Sequence, residues 1–327
     1  MNIPSEAGPL GARTAAAGTV VGRGFLAQRL APVAERHTDT VILAAGVSLA
    51  STTAPEAFAR EAALLDDTIE ACRRSGRRLL FFSTASTGMY GGVAGVGRED
   101  IPVTPVTPYA AHKLALEERL RASGADHLVL RLSHVVGPGQ PAHQLLPTLV
   151  RQMREGVVQV HLRASRDLIG VDDMVTAVDR LLGLDGLNGA VVNVASGAAV
   201  SVAAVVDHLE RLLGLVCRRE FHDTGSGCTV SVDRLRALVP ETAAFGFGPL
   251  YYRRVLDAYA ASVTATTETG PDHPAPAPTA RTTQSAQTTH PAQTTQPAQT
   301  AHATQAAREA QAAEPAPAAA APSRSER

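Results

Sequence analysis

Short apolar runs alternate along this chain with longer stretches in which apolar residues recur every three to four positions. The runs Thr19–Val21, Thr40–Ala44, Leu79–Phe82, Leu128–Leu132 and Val191–Val194 are almost continuously apolar, as expected of strands buried on both faces. Between them, Phe25–Arg36, Ala54–Ser75, Tyr109–Ser123 and Val171–Leu184 carry helical periodicity. The alternation predicts an α/β protein, a doubly wound parallel sheet covered by helices on both faces. After Asn193 a further helix over Val202–Leu215, a polar segment and a last helical stretch around Leu250–Ala260 predict a small C-terminal cap beside the sheet.

The pattern stops at Thr264. Beyond it the chain is mostly Thr, Ala, Gln, Pro and His, without Leu, Ile, Phe or Tyr, and near-repeats (SAQTTH, PAQTTQ, PAQTAH) begin at Ser285, Pro291 and Pro297. Such a stretch cannot bury enough apolar surface to offset roughly 1–2 kcal/mol of backbone entropy per residue. The expected organisation is a flexible N-terminus over 1–17, one folded domain with its cap over 18–263, and a disordered low-complexity tail over 264–327.

Charge then narrows the partners. The 327 residues carry a formal net charge of −1 with both signs interspersed, so no field gathers nucleic acid or an anionic membrane. No apolar run approaches the roughly 20 residues of a membrane span. Three cysteines without CxxC spacing fit a reducing cytoplasm, and eleven histidines without ligand spacing argue against a catalytic metal.

Four segments carry candidate chemistry. Gly22-Arg23-Gly24-Phe25-Leu26-Ala27 is a GxGxxA pattern directly after a strand and at a helix start, where backbone amides and the helix N-terminus suit a pyrophosphate. Thr40–Ser48 is a buried strand running into Ala44, Ala45 and Gly46, small enough to leave room for a flat ligand, or for close helix packing. Phe81–Ser86 is an apolar strand ending in hydroxyls, Thr84 and Ser86 among them; these suit a substrate oxygen, though Ser and Thr also cap turns. Tyr109-Ala-Ala-His-Lys113, preceded by Pro108, places Tyr109 and Lys113 on one helical face, where an ammonium favours the phenolate and brings the phenol nearer working pH. His112, inside that turn, is expected to be exposed.

One element is missing. A dinucleotide fold has a second strand ending in Asp or Glu about 20 residues after its glycines, gripping the adenosine ribose. Here the first helix runs straight into a strand with the features of a later one, so the choice between NAD and NADP is unreadable, and Arg23 is equally a 2′-phosphate ligand or a solvated loop charge.

Taken in order, GRGFLA, VILAAGVS, FFSTAS, YAAHK, LRLSHVVGPGQ, RDLIGVDDM and VVNVASG resemble the extended short-chain dehydrogenase/reductases, the NAD-dependent epimerase/dehydratase family that acts on nucleotide sugars, over about Thr19 to Ala260. The resemblance implies a Rossmann-like sheet and NAD or NADP as cofactor. It implies cofactor contacts at Gly22, Gly24, Phe25, Leu26, Ala27, Ala44, Ala45 and Gly46, Tyr109 and Lys113 as catalytic pair with the lysine also on the nicotinamide ribose, and Thr84 or Ser86 as their hydroxyl partner. Counting from the strand selects Thr84, the preferred register; counting back from Tyr90 selects Ser86. His134 stands where the family often has Asn near the substrate phosphates, and Arg166 of Arg166-Asp167 falls on the arginine that reaches the substrate pyrophosphate. Arg166 equally suits a salt bridge to Asp172 or Asp173, and Asp172 a helix cap. Ala85 and Ser86 replace the Asp-Glu pair of the 4,6-dehydratases, which leaves an NAD(P)-dependent epimerase or ketoreductase acting on a sugar-like, nucleotide-linked substrate. The alternative is a non-enzymatic dinucleotide-binding module. Expected partners are the small-molecule substrate and, as an assembly to test, a second copy in a homodimer.

Overall fold

The structure, a computed structural model, describes residues 18–268. Its first half runs β1 (Thr19–Val21), α1 (Phe25–Arg36), β2 (Thr40–Leu43), α2 (Pro55–Ser75), β3 (Arg78–Thr84), a single-turn α3 (Thr87–Tyr90), a two-residue β4 (Val96–Gly97), α4 (Pro108–Ala122) and β5 (His127–Leu132). Then come β6 (His134–Val136), α5 (Leu145–Arg154), β7 (Val157–His161), β8 (Ser165–Gly170), α6 (Val171–Leu182), β9 (Ala190–Val194), β10 (Ala199–Ser201), α7 (Val202–Leu213), β11 (Arg218–His222), β12 (Thr229–Val230), α8 (Asp233–Leu238) and α9 (Tyr251–Glu268).

Five strands pair in parallel in the order β1-β2-β3-β5-β9. Alternate side chains of these strands feed two cores. Ile42, Leu80, Phe82, Leu128, Leu130 and Val192 pack with Phe25, Leu30 and Val33 of α1 and Met174, Val178 and Leu181 of α6. Val41, Leu43, Leu79, Phe81 and Val129 pack with Leu65 and Ile69 of α2 and Leu116 and Leu120 of α4. Helices therefore cover both faces, as the sequence predicts.

The missing second strand is real: α1 returns through His37–Asp39 directly to β2, which pairs with β1, so β1 is the edge of the sheet. Successive steps β1→β2 and β2→β3 move in the same direction across the sheet, yet α1 and α2 lie on opposite faces. The two crossovers must then be of opposite hand, against a preference for right-handed connections of about 98%. In a full doubly wound sheet, α1 on this face leads outward, to a strand on the far side of β1.

The cap is larger than expected. Its core joins Leu146, Leu149 and Val150 of α5, Val158 and Val160 of β7, Val205 and Leu209 of α7, and Tyr251, Leu256 and Tyr259 of α9, with β11 parallel to β7. It begins after β5 rather than after Asn193, because β7 and β8 are short and interrupted by polar residues and carry little periodicity. Helix α9 continues to Glu268, five residues into the stretch expected to be disordered; the rest of that stretch, and residues 1–17, lie outside the described residues.

Candidate active site

At the carboxyl ends of β2, β3 and β5 lies a cavity of about 650 Å³ whose lining includes Gly24, Gly46, Thr84, Ser86, Tyr109 and Lys113. It sits where open α/β sheets bind ligands. Phe25, Leu26, Ala44, Ala45 and His134 also line it, whereas Gly22, Ala27 and Arg166 do not.

The glycine loop is built by close approach. Gly22 has φ +137°, and a Cβ there would lie 2.5 Å from the Ala44 carbonyl oxygen, so only glycine lets β1 turn over the end of β2. Gly24 is the N-cap of α1, and no side chain caps that helix, which leaves its first amides directed at the cavity mouth. Ala27 is buried in the α1 core and Phe25 is buried beneath the loop.

The acid–base pair is set by α4. Thr107 caps the helix by accepting from Ala110 N at 3.2 Å, and Pro108 opens it. Tyr109, Lys113 and Glu117 then fall four residues apart on one buried face. Glu117 accepts from Arg131 Nε and Nη2 on β5 at 2.9 and 2.7 Å and from the Ser83 hydroxyl on β3. Arg131 Nη1 also donates to the Tyr90 hydroxyl at 2.9 Å, which donates to Asn193 Oδ1 on β9 at 2.8 Å. This network fixes the helix in register with the sheet.

One residue of the site escaped the sequence reading. Glu61 of α2, with a side chain only 1% exposed, accepts from Lys113 Nζ at 2.6 Å through Oε1, while Oε2 lies 3.0 Å from His112 Nε2 and accepts from Val47 N at 3.1 Å. Lys113 Nζ also donates to the Phe82 carbonyl at 3.2 Å. His112 is not exposed as expected: it is pinned on Glu61 and stacked on Phe58 with ring centroids 4.4 Å apart. The pairing overturns a second expectation. Burial first, and then the Glu61 carboxylate, push the Tyr109 phenol far above its ordinary range.

The two candidate hydroxyls differ. Thr84 Oγ1, at the last residue of β3, already accepts from Ser86 N at 3.2 Å. Ser86 is the N-cap of α3, but its hydroxyl makes no capping bond and is buried without a partner.

Arg166 makes neither expected salt bridge. Its Nη1 donates to the Ser165 and Ser226 carbonyls at 2.7 and 2.8 Å, and Asp173 is taken by Arg254 at 2.6 Å and the Tyr251 hydroxyl at 2.5 Å. Asp172 caps nothing, since the N-cap of α6 is Gly170. Burial lowers the basicity of His134 to about 4, with Arg166 adding to the effect, so the imidazole is neutral at physiological pH. Among the described residues no group of His, Cys, Asp and Glu is arranged to hold a metal ion, and no helix is long and apolar enough to cross a membrane.

Comparison with known proteins gives concordant matches. A family model described as "NAD dependent epimerase/dehydratase family" matches residues 26–195. Over 166 residues the chain is 27% identical to an uncharacterized UDP-glucose epimerase of Bacillus subtilis, a match covering 49% of this chain and 52% of that protein. Over 206 residues it is 31% identical to the dTDP-6-deoxy-L-talose 4-dehydrogenase (NAD(P)(+)) of Kitasatospora kifunensis, covering 58% and 63%. The chain thus spans between about half and two thirds of the curated relatives it matches. The solved structure of MoeE5 in complex with UDP-glucuronic acid and NAD is 27% identical with a TM-score of 0.60, covering 70% of this chain and 80% of that one.

Proposed function

This chain belongs to the NAD dependent epimerase/dehydratase family, and on that premise we propose that it moves hydride between a nicotinamide and the hydroxyl or keto carbon of a sugar-like, nucleotide-linked substrate, as an epimerase or ketoreductase. The observation that carries this reading is the convergence of Tyr109, Lys113 and the unpartnered Ser86 hydroxyl on one cavity below the glycine loop. The relatives' named activities, an epimerase and a 4-dehydrogenase on nucleotide sugars, support the substrate class.

A dinucleotide fits the residues present in one half. The close approach at Gly22 and the uncapped amides of α1 suit the pyrophosphate, and the small residues Ala44, Ala45 and Gly46 leave space for the nicotinamide. Bound there, the nicotinamide supplies hydride exchange. Tyr109 transfers the proton to or from the substrate oxygen, Lys113, with one donor left beyond Glu61 and the Phe82 carbonyl, would hold the nicotinamide ribose, and Ser86 orients that oxygen with a hydroxyl that no protein group occupies. The neutral His134, in the cavity lining, suits the substrate's phosphates, and Arg166, desolvated but outside that lining, reaches them only by leaving the Ser165 and Ser226 carbonyls. Dehydration remains disfavoured, since neither Thr84 nor Ser86 is followed by a carboxylate. A cytoplasmic location belongs to the same reading, supported by three free cysteines.

The direct pairing of β1 with β2 favours a second reading, a binding module without turnover, because the adenosine side of the fold is cut away. One experiment separates the two. With a panel of UDP- and dTDP-sugars and NAD(P)(H), the wild type interconverts or reduces a member of the panel, while Tyr109→Phe loses turnover and keeps nucleotide affinity by fluorescence titration. Binding without turnover in the wild type across the panel selects the module.

A further inference from the structure

Lys113 does not stand free beside Tyr109. Its ammonium is 5.9 Å from the centre of the Tyr109 ring but 2.6 Å from Glu61 Oε1, and both partners are almost fully buried. The carboxylate is itself constrained on every side. Val47 N and His112 hold its second oxygen, and Gly46, with φ +129°, is where a Cβ would strike Oε1 at 2.2 Å. A glycine at 46 thus makes room for an acid at 61. The charged and titratable groups facing Glu61 are Lys113, His112 and Tyr109 from α4, with Arg60 beside it on α2.

We propose that Glu61 is a positioning residue of the acid–base pair: by engaging the Lys113 ammonium it keeps Tyr109 a neutral phenol, so that Tyr109 meets the substrate as a proton donor. A buried ion pair 2.6 Å long presents little net charge to a third group, whereas an unpaired ammonium favours the phenolate. In the step this serves, the substrate's carbonyl carbon accepts hydride from a reduced nicotinamide, its oxygen takes the Tyr109 proton, and the O–H electrons stay on Tyr109 as phenolate. The proposal deepens the oxidoreductase reading and rests on it for the role of Tyr109.

The test reads the phenol directly. The protein is labelled with 3-fluorotyrosine at its five tyrosines and titrated by fluorine NMR without cofactor or substrate, Tyr109→Phe identifying the resonance. Glu61→Gln lowers the Tyr109 midpoint by about one pH unit or more, a tenfold change in ionisation, and Glu61→Gln combined with Lys113→Met returns it to within about 0.3 unit of wild type. A Glu61→Gln midpoint equal to wild type overturns the proposal, as does a double variant that titrates like Glu61→Gln, since the effect then does not pass through Lys113. Should Glu61→Gln not fold, Lys113→Met is compared with the double variant. Glu61 left alone beside the phenol raises the midpoint above that of the double variant, and equal midpoints refute the role. Because the samples hold no nucleotide or sugar, this result is independent of whether Tyr109→Phe abolishes turnover.

Discussion

Ser86 donates its backbone N–H to Thr84 Oγ1 at 3.2 Å while its own hydroxyl is buried without a partner. An unsatisfied buried hydroxyl costs about 1–3 kcal/mol, a penalty that a ligand oxygen relieves. The proposed orienting role therefore falls on Ser86 rather than on Thr84, which strand register alone selects. With an accepted substrate, Ser86→Ala should lower kcat/KM by about 10² or more, and Thr84→Ala by clearly less, at matched nucleotide affinity. The reverse ranking returns the role to Thr84.

The depressed basicity of His134 makes acid stability a second readout. Its folded value of about 4 lies below the ordinary 6.5, so between these the unfolded chain binds the extra proton and folding stability falls as pH drops. The contribution is fully present above about 6.5 and lost by about 4, at most roughly 3 kcal/mol. His134→Asn removes this limb. Urea unfolding of both proteins at stepped pH checks it: the gap between them should change across that window, and parallel curves refute the claim.

Arg131 and Glu117 tie β5 to α4 at full burial. Glu117→Ala strands a guanidinium and frees Ser83, and should cost about 3–5 kcal/mol in denaturant unfolding. Pairing Glu117→Leu with Arg131→Met should recover much of that loss, because no buried charge is then left unpaired and only the Ser83 and Tyr90 hydroxyls lose a partner. If the single and double variants are equally unstable, packing rather than charge dominates.

Cofactor choice follows from β1 being an edge. Among the described residues no strand flanks β1 on its outer side, so the described sheet presents no strand-end acid to an adenosine ribose and no wall against a 2′-phosphate. Fluorescence titration should give NADH and NADPH dissociation constants within about threefold, and reduced nicotinamide mononucleotide within about tenfold of either. A strong preference for one dinucleotide identifies an adenosine contact made by other parts of the chain.

The main sheet was legible because its strands are uniformly apolar and its helices keep a clean period; α1 matches its expected bounds. Short polar strands such as β7 and β8 carry no such signal and had to await their partners. Tyr109 and Lys113 were readable from a spacing of four, but not the charge on Lys113's other side, since the 52 residues separating Glu61 from Lys113 are bridged only by the packing of α2 on α4. A trace of it existed: Glu61 heads the stripe Glu61, Leu65, Ile69, Cys72 on the buried face of α2, a charged residue where the period calls for an apolar one.

The glycine loop hangs from β1, a strand of three residues with a neighbour on one side only, joined to the next strand by a crossover whose hand differs from the one that follows. Of the five strands in the sheet, β1 has the fewest partners to break when it opens. In hydrogen exchange its amides should be the least protected of the sheet, opening locally without global unfolding. A nucleotide seated on Gly22 and Gly24 then slows that exchange, and part of its affinity is spent on ordering the strand that receives it.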